Sequence, residues 1–426
     1  MKKNWFYILS SIPFFLIPIL RILIVKWRDI WLIDFAAYSA VSRALFEGNN
    51  PFPNHGSVLF CSFGSSVPIV YPGQMILFAL PGFLWGNAVQ FGFLFLNIAI
   101  VFFLTALTLV KACDYQWREL WTPGKKQLIY ALCCFAFLFS SNTMNIMRTG
   151  QIVLVLALCM YCMFWGLASQ SIRTLLFAFI ALTKYSVLPV FAPLLFFKRH
   201  WKLCFSAFGI FLLFSISPIL CGNNLVEVYS GYIQAVETLF QPGQVNHFNM
   251  RPQMCHIGFF RFPIINHISK VIVICPILWL FWRERKTKKL SDTSFLLALS
   301  LTMLISYHGL YDISLIFPLL FIRLFDFAKK KQWFCFLITF LFLFYLLIPG
   351  SITLTFSSWL GSIPGIDSIV YLSDKPWGSH YQHVFPITPF FAIALTIWDL
   401  YLYLHVSTPY QFELSNLDGK ASAKEL

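Results

Sequence analysis

The sequence predicts an all-α, polytopic integral membrane protein. Three observations carry that prediction: the scarcity of charge, the length of the apolar runs and the placement of basic residues between them. Of 426 residues, 58% are hydrophobic and 11% charged, against roughly 25% charged in ordinary globular domains. Aromatic side chains make up 19%, with 49 Phe and 14 Trp, a load suited to lipid-facing and interfacial positions. A water-soluble fold would expose much of it as apolar patches. A net charge of +14 would suit a nucleic-acid surface. Here, however, the basic residues fall in short clusters between apolar runs, as the positive-inside rule requires. Membrane lipid is therefore an expected partner and nucleic acid is not.

A spanning helix needs about 20 apolar residues. Trp5 to Val25 is long enough and lacks the small-residue cleavage site of a secretory leader, so it reads as a retained helix. Further runs follow at Asn87 to Val110, Gln127 to Ile146, Gln151 to Ala168, Leu203 to Leu220 and Ile264 to Trp282. The last four are Leu290 to Tyr307, Leu310 to Phe327, Gln332 to Pro349 and Phe385 to Leu404. Ile172 to Phe197 differs, because Lys184 interrupts it and Pro189 and Pro193 follow; it reads as two short helices meeting at the lysine. With Lys2 and Lys3 cytoplasmic, alternation puts every dense basic cluster inside, including Lys125–Lys126, Lys198–Arg199 and Lys329 to Lys331. The expectation is one multi-pass domain over residues 1–408, with about 10–12 spans and a polar, disordered cytoplasmic tail at 409–426.

The polar residues then collect outside, in residues 26–72, 145–151, 221–267 and 350–384. Most of the 11 Cys lie in apolar runs as small hydrophobes. Cys61, Cys221 and Cys255 lie in outer loops, where an oxidising compartment would let them pair.

Chemistry is sought among these outer residues. Small and apolar residues recur at helical spacing from Phe35 to Phe46, and Gly48 and Pro51 follow as C-terminal punctuation. This predicts an amphipathic helix in the first outer loop, headed by Asp34, which reads either as an N-cap or as a base kept ionised by the helix terminus. Lys184 lies in an apolar segment, where a charge is costly and functional by default, although snorkelling to the headgroups is the bland account. Arg148 reads as a second cation or an interfacial anchor, and Gln151 as a hydrogen-bond donor to substrate or a helix cap. His308, in the turn before Tyr311 and Asp312, suits proton transfer or binding of a leaving phosphate; a solvated turn histidine is the alternative. Arg251, in the polar stretch from Gln241 to His256, is placed to meet a phosphate or an acceptor sugar. His247 and His256 lie there too, without the carboxylate or helical spacing of a metal site.

Several of these residues form an ordered set. Asp34-Phe35 with Tyr38, then Ala44-Leu45, Gly48 and Pro51, resembles the first outer loop of GT-C type membrane glycosyltransferases, specifically glycosyltransferase family 87. Tyr71-Pro72, Gly150-Gln151, Lys184 with Pro189, and Ser306-Tyr307-His308 with Tyr311-Asp312 follow in the family's order. Two departures are Gly73, where the family often continues Tyr-Pro-Pro, and Tyr307, where it has a Trp-containing segment.

The resemblance implies a hexosyltransferase using a polyprenyl-phosphate sugar donor such as the mannose donor, with a lipid-linked or cell-surface glycan acceptor. It implies Asp34 as general base, with His308 assisting, and Tyr38, Tyr71, Gln151, Tyr311 and Asp312 at the substrates, to which the polar outer stretch adds Arg251. Lys184 and Arg148 are the cations chosen for the donor phosphate, and no metal or other cofactor is expected, because a single lipid phosphate can be met by Lys or Arg. A bacterial inner membrane is implied, with the active site on the non-cytoplasmic face. Two other classes remain open: a lipid-linked sugar transporter or flippase, which would show paired helix breaks in two related halves, and a membrane glycan polymerase.

Overall fold

The computed structural model describes residues 2–28, 41–51, 59–60, 66–67, 87–165, 167–240, 261–285, 290–305, 310–348, 350–370, 372–377, 380–406 and 411–412. Helices dominate. Among the described residues five are long and apolar enough to cross a membrane, or seven if two bent pairs each count as one span. The all-α, polytopic membrane architecture is therefore the one expected. The described ladders are short two-stranded pairs. One of them joins Leu290–Ser291 to Gln411–Phe412, so the chain beyond Tyr410 begins with a paired segment rather than leaving the fold at once.

The first helix, α1 (Lys2–Arg28), lies on the outside of the bundle: only 17% of its apolar window is buried. It packs against α3 (Lys125–Phe139) and α4 (Ser141–Thr149). Arg21 is tolerated in this apolar helix because its Nη1 donates to the Phe139 carbonyl at 3.1 Å and its guanidinium lies over the Phe139 ring. That carbonyl is available because α3 stops at Ser140, whose hydroxyl accepts from the Thr143 N–H and caps α4. The expected single span Gln127 to Ile146 is thus two helices bent by 59°.

Helix α2 (Asn87–Cys113) sits deeper and packs against α3, α5 (Val153–Phe164) and the later helix α12 (Phe317–Lys329). Gly150, at φ +76°, ends α4 and lets the chain turn into α5. At 12 residues, α5 is about 18 Å long, short of the ~30 Å hydrocarbon core. The run Gln151 to Ala168 was expected to span, but its first two residues are spent on the turn. As the sequence predicts, α6 (Gln170–Thr183) and α7 (Leu188–Phe197) meet at Lys184. Helix α8 (Trp201–Ile216) returns alongside α6 and ends in a 3-10 turn, Ser217–Cys221, followed by helix α9 (Leu225–Phe240).

Helix α10 (Pro263–Glu284) packs on α7 and on α11 (Asp292–Ile305). Every residue of α11 from Asp292 to Leu304 is buried, as a helix apolar all round must be when protein surrounds it. The expected span Leu310 to Phe327 instead opens with a 3-10 segment, Leu310–Ile316, before α12, which Pro318 starts as a first-turn proline. Helix α13 (Trp333–Leu347) bends by 97° into α14 (Gly350–Gly361), and α15 (Ile387–His405) closes the bundle against α11.

Of the segment expected as the first outer loop, residues 41–46 are helical and the chain turns at Gly48, where φ is +76°. The end of this helix is docked: Asn223 Nδ2 donates to the Leu45 carbonyl at 2.7 Å. A Cβ on Gly48 would come within 3.2 Å of the Cys221 carbonyl, so the close approach and the dihedral both call for glycine. Among the described residues Cys221 has no disulfide partner; Cys61 and Cys255 lie outside them.

Candidate functional site

Helix α6 ends because Lys184 leaves helical geometry, at φ −143° and ψ 65°. Pro189 in the first turn of α7 cannot donate a backbone hydrogen bond, and it suits a restart after the turn Tyr185–Val187 rather than a continuous helix. Asp312 comes from the 3-10 segment, on the far side of α11 in sequence. Its two carboxylate oxygens each lie 2.9 Å from Lys184 Nζ. The Asp312 side chain is fully buried, whereas that of Lys184 retains 15% exposure. An ionised carboxylate so placed needs a partner, since an isolated buried charge costs many kcal/mol. The sequence named both residues, with Asp312 orienting His308 or among the substrate residues; among the described residues Asp312 pairs with Lys184, and His308 lies outside them.

The 3-10 segment is held by α4 and α5, and the Tyr161 hydroxyl of α5 donates to the Leu315 carbonyl at 2.7 Å. Gln151, at the α4–α5 turn, is buried, and Arg148, in the last turn of α4, is exposed. Asn142 Nδ2 on α4 and Ser314 Oγ on the 3-10 segment are buried without hydrogen-bond partners among the described residues. Such atoms call for a water or a ligand. The lysine break, the Gly150 turn and the 3-10 segment therefore bring polar groups together where three helices lose their regular backbone. In a membrane this is tolerated only when protein buries it or a cavity is lined by it.

Of the other predicted residues, Asp34, Tyr38, Tyr71, Arg251 and His308 lie outside the described residues. Tyr311 shares the 3-10 segment with Asp312. Trp377 and His380 are backbone partners in the antiparallel pairing of Ser373–Trp377 with His380–Val384.

A second set of charges escaped the sequence reading. Glu284, at the end of α10, lies 2.6 Å from Lys198 Nζ and accepts hydrogen bonds from Ser294 (2.7 Å) and Tyr403 (2.8 Å). Arg323 of α12 lies 3.1 Å from Asp292 at the start of α11, both wholly buried. Ser300 donates to Asp399 of α15. The ionisable-residue argument that singled out Lys184 applies equally to Arg323 and Asp399, each inside an apolar run, and would have found them. Asp292 opens the 14-residue α11, whereas Asp312 follows that helix in the 3-10 segment.

Among the described residues the Lys184–Asp312 pair at the helix breaks is partly exposed and the Lys198–Glu284 and Arg323–Asp292 pairs are enclosed, within a bundle whose helices are long and apolar enough to make it an integral membrane protein. The model of glycosyltransferase family 87 matches residues 70–306, more than half of the chain, and the chain belongs to that family. It is a membrane glycosyltransferase. The match takes in Tyr71, Arg148, Gln151, Lys184 and Arg251; Asp34 lies before it, and His308, Tyr311 and Asp312 lie just beyond its end. No curated relative and no solved structure matches the chain.

Proposed function

We propose that the protein transfers a hexose such as mannose from a polyprenyl-phosphate donor to a lipid-linked or cell-surface glycan acceptor, on the non-cytoplasmic face of a bacterial inner membrane. The observation that supports this reading is the Lys184–Asp312 pair, a lysine at a helix break whose side chain keeps 15% exposure while its counter-ion is enclosed.

In this reading Asp34 accepts the proton of the acceptor hydroxyl while that oxygen attacks the anomeric carbon of the donor. The anomeric carbon–phosphate oxygen bond breaks, its electron pair stays on the phosphate, and the configuration inverts. Lys184, with Arg148 and His308, meets the charge that grows on the departing phosphate. Tyr38, Tyr71, Gln151, Arg251 and Tyr311 line the sugar and acceptor sides. The leaving group is one lipid phosphate, which cations of the chain suffice to neutralise, so the reaction requires no metal.

The test is transfer from radiolabelled polyprenyl-phosphate mannose by the purified full-length protein in nanodiscs. Asp34→Asn is expected to abolish transfer, by a factor of about 10² or more for a lost general base, while the thermal midpoint stays unchanged. Turnover retained by this variant refutes the assignment.

A further inference from the structure

Three buried ion pairs can be compared. In Lys198–Glu284 the lysine side chain is wholly enclosed, and in Arg323–Asp292 both partners are. Among these described pairs only Lys184–Asp312 combines a lysine side chain that keeps accessible surface with a fully enclosed carboxylate. The first two arrangements tie helices together. The third leaves part of the lysine side chain accessible while its carboxylate partner is enclosed.

The chemistry of glycosyl transfer gives that asymmetry a use. The donor phosphodiester carries one negative charge, and the departing lipid phosphate becomes a dianion as the carbon–oxygen bond breaks. An ammonium with no counter-ion would hold the dianionic product most tightly of all and slow its release. An ammonium already shared with a carboxylate attracts the singly charged donor weakly. It gains interaction as charge accumulates on the phosphate, which is the differential binding that lowers a barrier. Resting on the phosphate reading of Lys184, we infer that Asp312 is a positioning residue that competes with the lipid phosphate for the Lys184 ammonium, restraining product binding and restoring the resting site after each turnover.

The inference makes removal of a carboxylate improve binding of an anion, which loss of a merely structural contact would not do. Farnesyl phosphate serves as the product-like probe, titrated against the full-length protein in nanodiscs of uncharged lipid. Asp312→Asn is expected to bind it roughly tenfold more tightly than the unaltered protein, about 1.4 kcal/mol. Asp312→Glu, which keeps the charge, stays near the starting affinity. Lys184→Met tests the underlying reading separately, because it loses the probe if Lys184 meets the phosphate. Unaltered affinity in Lys184→Met overturns the phosphate reading; lost affinity there with unchanged or weaker affinity in Asp312→Asn overturns only the role given to Asp312. Should Asp312→Asn not fold, the unaltered protein decides: farnesyl diphosphate is expected to bind no more tightly than the monophosphate, since its extra charge faces Asp312. Tenfold tighter binding of the diphosphate overturns the inference.

Discussion

Replacing Glu284 by Gln tests the closed ionic network, and the structure sets the scale of the effect. The carboxylate receives Lys198 Nζ on one oxygen at 2.6 Å and the Ser294 and Tyr403 hydroxyls on the other at 2.7 and 2.8 Å. Gln keeps the shape and an acceptor for the hydroxyls, but takes the countercharge from a lysine side chain that is 0% exposed. Removing one partner of such a pair costs about 3–5 kcal/mol, whereas a single hydrogen bond between membrane helices averages about 0.6 kcal/mol. The charge therefore dominates: Glu284→Gln should lower the thermal midpoint several times further than Tyr403→Phe. At roughly 2–4 °C per kcal/mol for a large domain, the drop is on the order of 6–20 °C. The assay is thermal unfolding of the detergent-solubilised protein. The double variant Lys198→Met with Glu284→Gln should recover part of the loss, because no enclosed charge is left unpaired. The reasoning fails if Glu284→Gln is no more destabilising than Tyr403→Phe, or if the double variant shows the full sum of the two losses.

Two further outcomes are expected. Asn223→Ala removes the 2.7 Å hydrogen bond that docks the first outer loop through Leu45, a loss of about 1–3 kcal/mol with a carbonyl left buried; turnover should fall with the thermal midpoint, and unchanged kinetics would show that this docking does not position the loop. In a cysteine-free background, Glu227→Cys and Asp367→Cys, both at exposed positions, should react with an impermeant maleimide on intact cells, while Lys125→Cys and Gln332→Cys should react only after permeabilisation; the reverse pattern would invert the sidedness proposed for the active site.

The family's region was legible in the ordered motifs, and the broken span in one residue pair: a charge at Lys184 followed by Pro189 leaves the backbone little choice but to stop and restart. The break at Ser140 was not legible in the same way. Ser140-Ser141-Asn142-Thr143 sits inside a run that hydropathy treats as continuous, and its helix end is stabilised by a cap and by Arg21, 118 residues away. The 3-10 start of α12 was likewise hidden, since Leu310–Ile316 is apolar enough to pass for helix and its geometry depends on packing against α4 and α5.

What the residues determine alone is which segments prefer hydrocarbon and where a helix cannot continue, because transfer free energy and backbone sterics act locally. Which charge meets which is decided only by tertiary structure. Lys184 and Asp312 lie 128 residues apart, as invisible to each other along the chain as Lys198 and Glu284. In a medium with little water an ionised group must find its partner across helices, and the partner is whichever complementary charge the packed bundle delivers to the same depth.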